Sequence, residues 1–282
     1  PVAVKILRPD LARDVEARQR FEAEATAAAQ LVDPHIVAIF DTGEDSGVPY
    51  IVMELLSGET LRDELGRGPV HPVPARAVAD QVLAALTVAH GAGIVHRDVK
   101  PGNVLRAGPD AWKLGDFGIA KSLEATADLT MTGLVPGTPA YLAPERLAGK
   151  PATAASDLYS VGVVLYETLS GRQPFTDATP VATVHAIQTT EPVPLDEVAP
   201  GVDPALTAVV TRAMQRDPRR RFASAAAMRA ALNPDGTSGR TRPVEAVTEP
   251  IHPPRRTRTQ ESATRTLAPR AAPARRPSRR SR

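Results

Sequence analysis

The order of apolar and polar positions divides the chain into a strand-rich beginning and a helical remainder. Residues 2–7, V-A-V-K-I-L, follow the period-two pattern of a half-buried strand. Asp14 to Leu31 is rich in Ala and Glu with few breakers and predicts a helix, which Asp33-Pro34 ends. Ile36–Asp41 and Tyr50–Met53 read as two strands joined by a glycine-containing turn. Val73–Ala92 is a long amphipathic stretch, bounded by proline at its start and closed by Gly91 and Gly93. Val104-Leu105 and Trp112-Lys113-Leu114 predict a hairpin turned by Gly108-Pro109-Asp110. Three further helices are expected at Asp157–Leu169, Asp203–Arg216 and Ala223–Leu232. The pattern stops after Asn233-Pro234.

With 282 residues, 42% of them apolar, a large core is within reach. There is no cysteine, which excludes disulfides and thiolate-bound metals and suits a reducing, cytoplasmic setting. No apolar run reaches a membrane-spanning length, and no signal-peptide pattern opens the chain. Pro1 is not an initiator methionine and reads as a cut end. The formal charge of +2 is unevenly spread: residues 233–282 carry twelve arginines against four acidic side chains, so residues 1–232 are mildly acidic. That tail is rich in Pro, Arg, Thr and Ala and is expected to be disordered.

The densest chemistry lies between Ile94 and Gly118. Asp98, Lys100, Asn103 and Asp116 sit at short fixed offsets around the predicted hairpin, which would return Asn103 and Asp116 to the same end. An amide oxygen and a carboxylate so placed are hard ligands suited to Mg²⁺ (or Mn²⁺), which also takes substrate phosphates. Asp98 would stand apart from the metal, able to accept a proton. This is the outline of a phosphoryl-transfer site.

H-R-D-V-K-P-G-N followed by D-F-G resembles the catalytic loop and metal-binding motif of protein kinases, and the Lys-Pro after Asp98 resembles their serine/threonine branch. The resemblance extends over residues 2–221 and is closest to bacterial receptor-type kinases. It implies an α+β, bilobal fold, with a small partial N-lobe of sheet and one helix at 1–55, a large, mainly helical C-lobe at 56–232 and a tail or juxtamembrane linker at 233–282. Lys5 would hold the α- and β-phosphates of ATP and pair with Glu24, with Glu22 nearly opposite on the helical wheel. The backbone of Glu54 and Leu56 would bind adenine, with Met53 behind it and Ala3 and Leu105 lining the slot. Asp98 would be the base, Lys100 would neutralise the γ-phosphate, and Asn103 and Asp116 would hold the metal.

The same resemblance makes His96 a structural partner of Phe117. Asp157 would anchor the catalytic loop, and Glu145 of A-P-E would pair with Arg221, although Arg219 and Arg220 stand beside it. Thr138 would bridge Asp98 and Lys100. Thr130 and Thr132, with Thr126 weaker, would be phosphorylated and received by Arg97. Strand three would open the chain, so the Gly-rich loop that covers ATP phosphates in the family does not appear in it. The alternative is therefore a catalytically impaired kinase-fold scaffold. Expected partners are proteins offering Ser or Thr, phosphothreonine-binding proteins recognising tail threonines such as Thr257, and a second kinase domain. No specific nucleic acid is expected, because no aromatic residues interleave with the tail arginines. Membrane attachment would come only through a segment outside this chain.

Overall fold

A computed structural model of the protein describes residues 1–8, 11–56, 58–117 and 139–234, apart from the side chains of Arg20 and Glu24. The expectations for Thr126, Thr130, Thr132, Thr138 and the tail lie outside the described residues, as does that for the side chain of Glu24.

Three strands, β1 (Val2–Ile6), β2 (Ile39–Asp45) and β3 (Val48–Glu54), form an antiparallel sheet in the order β1-β3-β2. Lys5 lies opposite Ile51 and Ala3 opposite Met53, so these four share one face. Helix α1 (Val15–Ala29) packs there through Phe21 and Ala25, which with Leu7, Ala12 and Ile51 make a small core. Asp14 caps α1 by accepting the N–H groups of Glu16 and Ala17.

Strand β2 starts three residues later than the Ile36–Asp41 pattern suggests, because the earlier positions have another partner. Leu114 N–H donates to the His35 carbonyl at 2.8 Å, and Val37 N–H donates to the Leu114 carbonyl at 3.1 Å. The segment before β2 therefore ties the sheet to the second hairpin. A register shift between Ile39 and Asp41 leaves Phe40 60% exposed.

The larger core is built around α3 (Pro72–Gly91), which follows the short α2 (Leu61–Leu65), and α5 (Ala154–Ser170), which follows the short α4 (Pro144–Leu147). Between them stands the hairpin of β4 (Val104–Arg106) and β5 (Trp112–Leu114), with Val104 opposite Leu114. Buried Gln81 of α3 clamps that hairpin: its Oε1 accepts the Trp112 N–H at 2.7 Å and its Nε2 donates to the Asp110 carbonyl at 2.9 Å. The lobe is completed by α6 (Pro180–Thr189), α7 (Leu195–Val198), α8 (Pro204–Ala213) and α9 (Ala225–Leu232). Arg229 and Asn233 both bond Asp80, fixing α9 to α3. Among the described residues no helix is long and apolar enough to cross a membrane.

Candidate active site

The loop from Ile94 to Asn103 is held from below. Asp157, 1% exposed near the start of α5, accepts the His96 N–H at 2.8 Å and the Arg97 N–H at 2.9 Å. It also meets His90 Nε2 at 2.8 Å. A carboxylate taking two backbone donors freezes the turn in which Arg97 adopts a left-handed φ of 71°.

His96 is wholly buried, and its two ring nitrogens have different roles. Nδ1 accepts the Asp98 N–H at 3.2 Å, so Nε2 carries the proton and donates it to the Gly115 carbonyl at 3.0 Å. Burial pushes its pKa below the usual histidine value, outweighing the nearby carboxylates. The ring lies against Phe117 with centroids 4.6 Å apart. One neutral imidazole thus joins the Asp98 loop to the Gly115-Asp116-Phe117 segment.

Above this support the polar side chains converge. Lys100 Nζ donates to Asp98 Oδ2 at 2.7 Å. Asn103 Nδ2 donates to the Asp98 carbonyl at 2.8 Å and to Asp98 Oδ2 at 3.1 Å. The Asn103 carbonyl accepts the Gly115 N–H at 2.9 Å, which sets Asn103 one position from Asp116 across the hairpin end. Asp116, at φ 55°, turns its carboxylate toward the sheet, where Lys5 Nζ meets Oδ1 at 2.7 Å. A Cβ at Gly115 would lie 2.9 Å from Leu105 and 3.0 Å from Val37, so the close approach requires glycine there.

Ala3 and Met53 are cross-strand neighbours on the face that carries Lys5, and Leu105 stands on β4. The Glu54 N–H donates to the Ala38 carbonyl at 2.9 Å. Its carboxylate grips Lys113 Nζ at 2.7 and 2.9 Å, a contact the sequence pattern did not suggest. Leu56 follows β3 and is half-buried. Arg221 is the arginine that meets Glu145, and its guanidinium also donates to the Gln215, Arg216 and Ala155 carbonyls. Arg219 and Arg220 are exposed.

The protein kinase domain family matches residues 1–232. The chain belongs to the protein kinase family. Among curated relatives, this kinase domain is 45% identical over 241 residues to a probable serine/threonine-protein kinase of Corynebacterium efficiens, covering 82% of this chain and 36% of that protein. It is 44% identical over 237 residues to the serine/threonine-protein kinase PknB of Mycobacterium tuberculosis, covering 82% and 38%. The chain thus spans less than two-fifths of these relatives' lengths, and it falls in the bacterial serine/threonine branch. Among solved structures, the kinase domain of Mycobacterium tuberculosis PknI superposes with a TM-score of 0.65 at 31% identity, covering 83% of this chain and 85% of that one. Rad53 in complex with AMP-PNP gives 0.66 at 28% identity, covering 82% and 57%.

Proposed function

We propose that this kinase domain transfers the γ-phosphoryl group of ATP to serine or threonine hydroxyls of proteins. The observation that carries the reading is Asp98, whose carboxylate is held by Lys100 and Asn103 while the loop beneath it is fixed by Asp157.

Asp98 Oδ accepts the proton of the substrate hydroxyl as its oxygen attacks the γ-phosphorus, a role typically worth about 10²- to 10⁴-fold in rate. Lys100, bonded to that carboxylate, neutralises charge on the transferring group. Lys5 exchanges its contact with Asp116 for the α- and β-phosphates. Ala3, Met53 and Leu105 line the adenine slot, with the Glu54 carbonyl and the Leu56 backbone as its polar edge. The donor set suits Mg²⁺ or Mn²⁺: the Asn103 side-chain oxygen accepts no hydrogen bond from the described residues, and the Asp116 carboxylate is half-exposed, 49% open to solvent. Such an ion supplies charge neutralisation to the phosphates. Activation-loop phosphorylation at Thr130 or Thr132, received by Arg97, phosphothreonine-dependent partners and pairing with a second kinase domain belong to the same reading.

The test is transfer from labelled ATP to a threonine peptide and to the chain itself, beside Asp98→Asn and Asp116→Asn. Loss of at least 10²-fold in each variant is expected. Near-normal transfer by either variant would overturn the assignment. Nucleotide binding without any transfer by the unmodified chain would favour the scaffold.

A further inference from the structure

Around α2, among the described residues, most charges are already matched and one cation is not. Glu59 and Glu64 both bond Arg67, and Glu64 also takes Arg106 at 2.8 Å. Asp63 is occupied by the N-cap, accepting the Thr60 N–H at 2.8 Å and the Thr60 hydroxyl at 2.6 Å. The remaining cation, exposed Arg62, has no carboxylate within ion-pair distance among the described residues.

Its position makes that vacancy informative. Arg62 Nε lies 3.5 Å from the point a Cβ on Gly102 would occupy, and Lys100 Cε lies 4.0 Å from the same point. Gly102 is thus an open step between an uncommitted guanidinium and the lysine bound to Asp98. The charge of Arg62 also acts on Tyr141, whose hydroxyl donates to Glu167 at 2.6 Å and accepts from Gln173 at 3.0 Å. Glu167 is therefore also committed. Lys100 links this opening to Asp98, to which its Nζ donates at 2.7 Å.

We propose that Arg62 is a specificity-determining residue that pairs with an Asp or Glu side chain of the protein substrate close to the phosphorylated hydroxyl. The proposal rests on the kinase reading above. The bare Gly102 leaves room for the incoming carboxylate, and the planar fork of arginine suits bidentate capture of it.

The test uses the full chain and fluorescent peptides with one threonine in a neutral Ala/Gly background. A single Glu or Lys, or Gln as control, is moved along each peptide one position at a time. Binding and phosphate transfer are measured separately for the unmodified chain, Arg62→Ala and Arg62→Glu. Glu should improve both over Gln by about three- to fivefold at one or two adjacent positions, the size of a partly screened ion pair. That preference should vanish in Arg62→Ala and turn toward Lys in Arg62→Glu. Equal treatment of Glu and Gln at every position would overturn the proposal, as would a preference that survives Arg62→Ala. A changed KM for ATP with the peptide preference intact would also overturn it, by assigning Arg62 to the nucleotide. A binding preference without transfer would count against the kinase reading and leave the role of Arg62 standing.

Discussion

Arg221 and Glu145, 76 residues apart in sequence, meet through two parallel bonds of 2.6 and 2.7 Å with both side chains almost wholly out of water. The guanidinium also lies 4.9 Å from the Tyr159 ring, and burial raises that phenol's pKa well above its usual value. Removing one member strands the other as a buried charge. Arg221→Ala should lower the unfolding free energy by about 3–5 kcal/mol in urea titration. A loss below about 1 kcal/mol would show that the pair tethers nothing. Replacing both residues with apolar ones of similar volume should recover much of the loss.

Gln81 is the only side chain among those described that bonds both Trp112 and Asp110 at the hairpin turn. Gln81→Leu leaves the Trp112 N–H without its partner, costing about 1–3 kcal/mol. Hydrogen exchange at that amide should quicken by roughly tenfold or more, since 1.4 kcal/mol is one decade. Unchanged exchange would mean that the hairpin stands without the clamp.

The gathering of Asp98, Lys100, Asn103 and Asp116 is legible in the sequence, because they sit at short, fixed offsets around one hairpin, as the proposed phosphoryl transfer would require. The longer-range pairings are not legible. Lys113 meets Glu54 across 59 residues and Gln81 meets Trp112 across 31, and no local periodicity encodes such a choice. Helix α2 is too short to show a period, although Thr60 and Asp63 form a capping box that could have marked it. Helix α6 is rich in β-branched residues that hide it, yet Thr179 as N-cap and Pro180 in the first turn were available as a start signal. Strand β2 is displaced because Ile36 and Val37 answer to Leu114 rather than to the sheet.

His96 gives stability a pH dependence of known sign. Its folded pKa lies below the unfolded value of about 6.5, so as pH falls through that value the unfolded chain takes up a proton that the folded chain refuses. Its contribution is therefore present above about pH 6.5 and declines below it, by up to about 1.4 kcal/mol per pH unit until the folded pKa is reached. Urea midpoints measured at falling pH should show this slope, and His96→Asn should flatten it. An identical slope in that variant would place the titration elsewhere.

Asp157→Asn exchanges one acceptor oxygen for a donor while two backbone N–H groups still point at the side chain. At least one of them loses its partner, costing about 1–3 kcal/mol. The kcat for transfer should fall further than the loss of folded protein explains, because Asp98 follows this loop. Normal kcat in a folded Asp157→Asn protein would remove the anchor from the account.

Arg97 and Asp116 both hold left-handed backbone, at φ 71° and 55°. A side chain in that region costs about 1–2 kcal/mol relative to glycine, somewhat less for aspartate, which tolerates it. In backbone terms alone, glycine at either position would make a sturdier fold. On the proposed function both residues carry groups that the site uses, Asp116 for the metal and Arg97 for a phosphorylated loop, so part of the domain's stability is exchanged for competence. A thermostabilised version chosen by melting temperature alone would drift toward glycine at these positions and lose the site, the trade-off expected where strain serves chemistry.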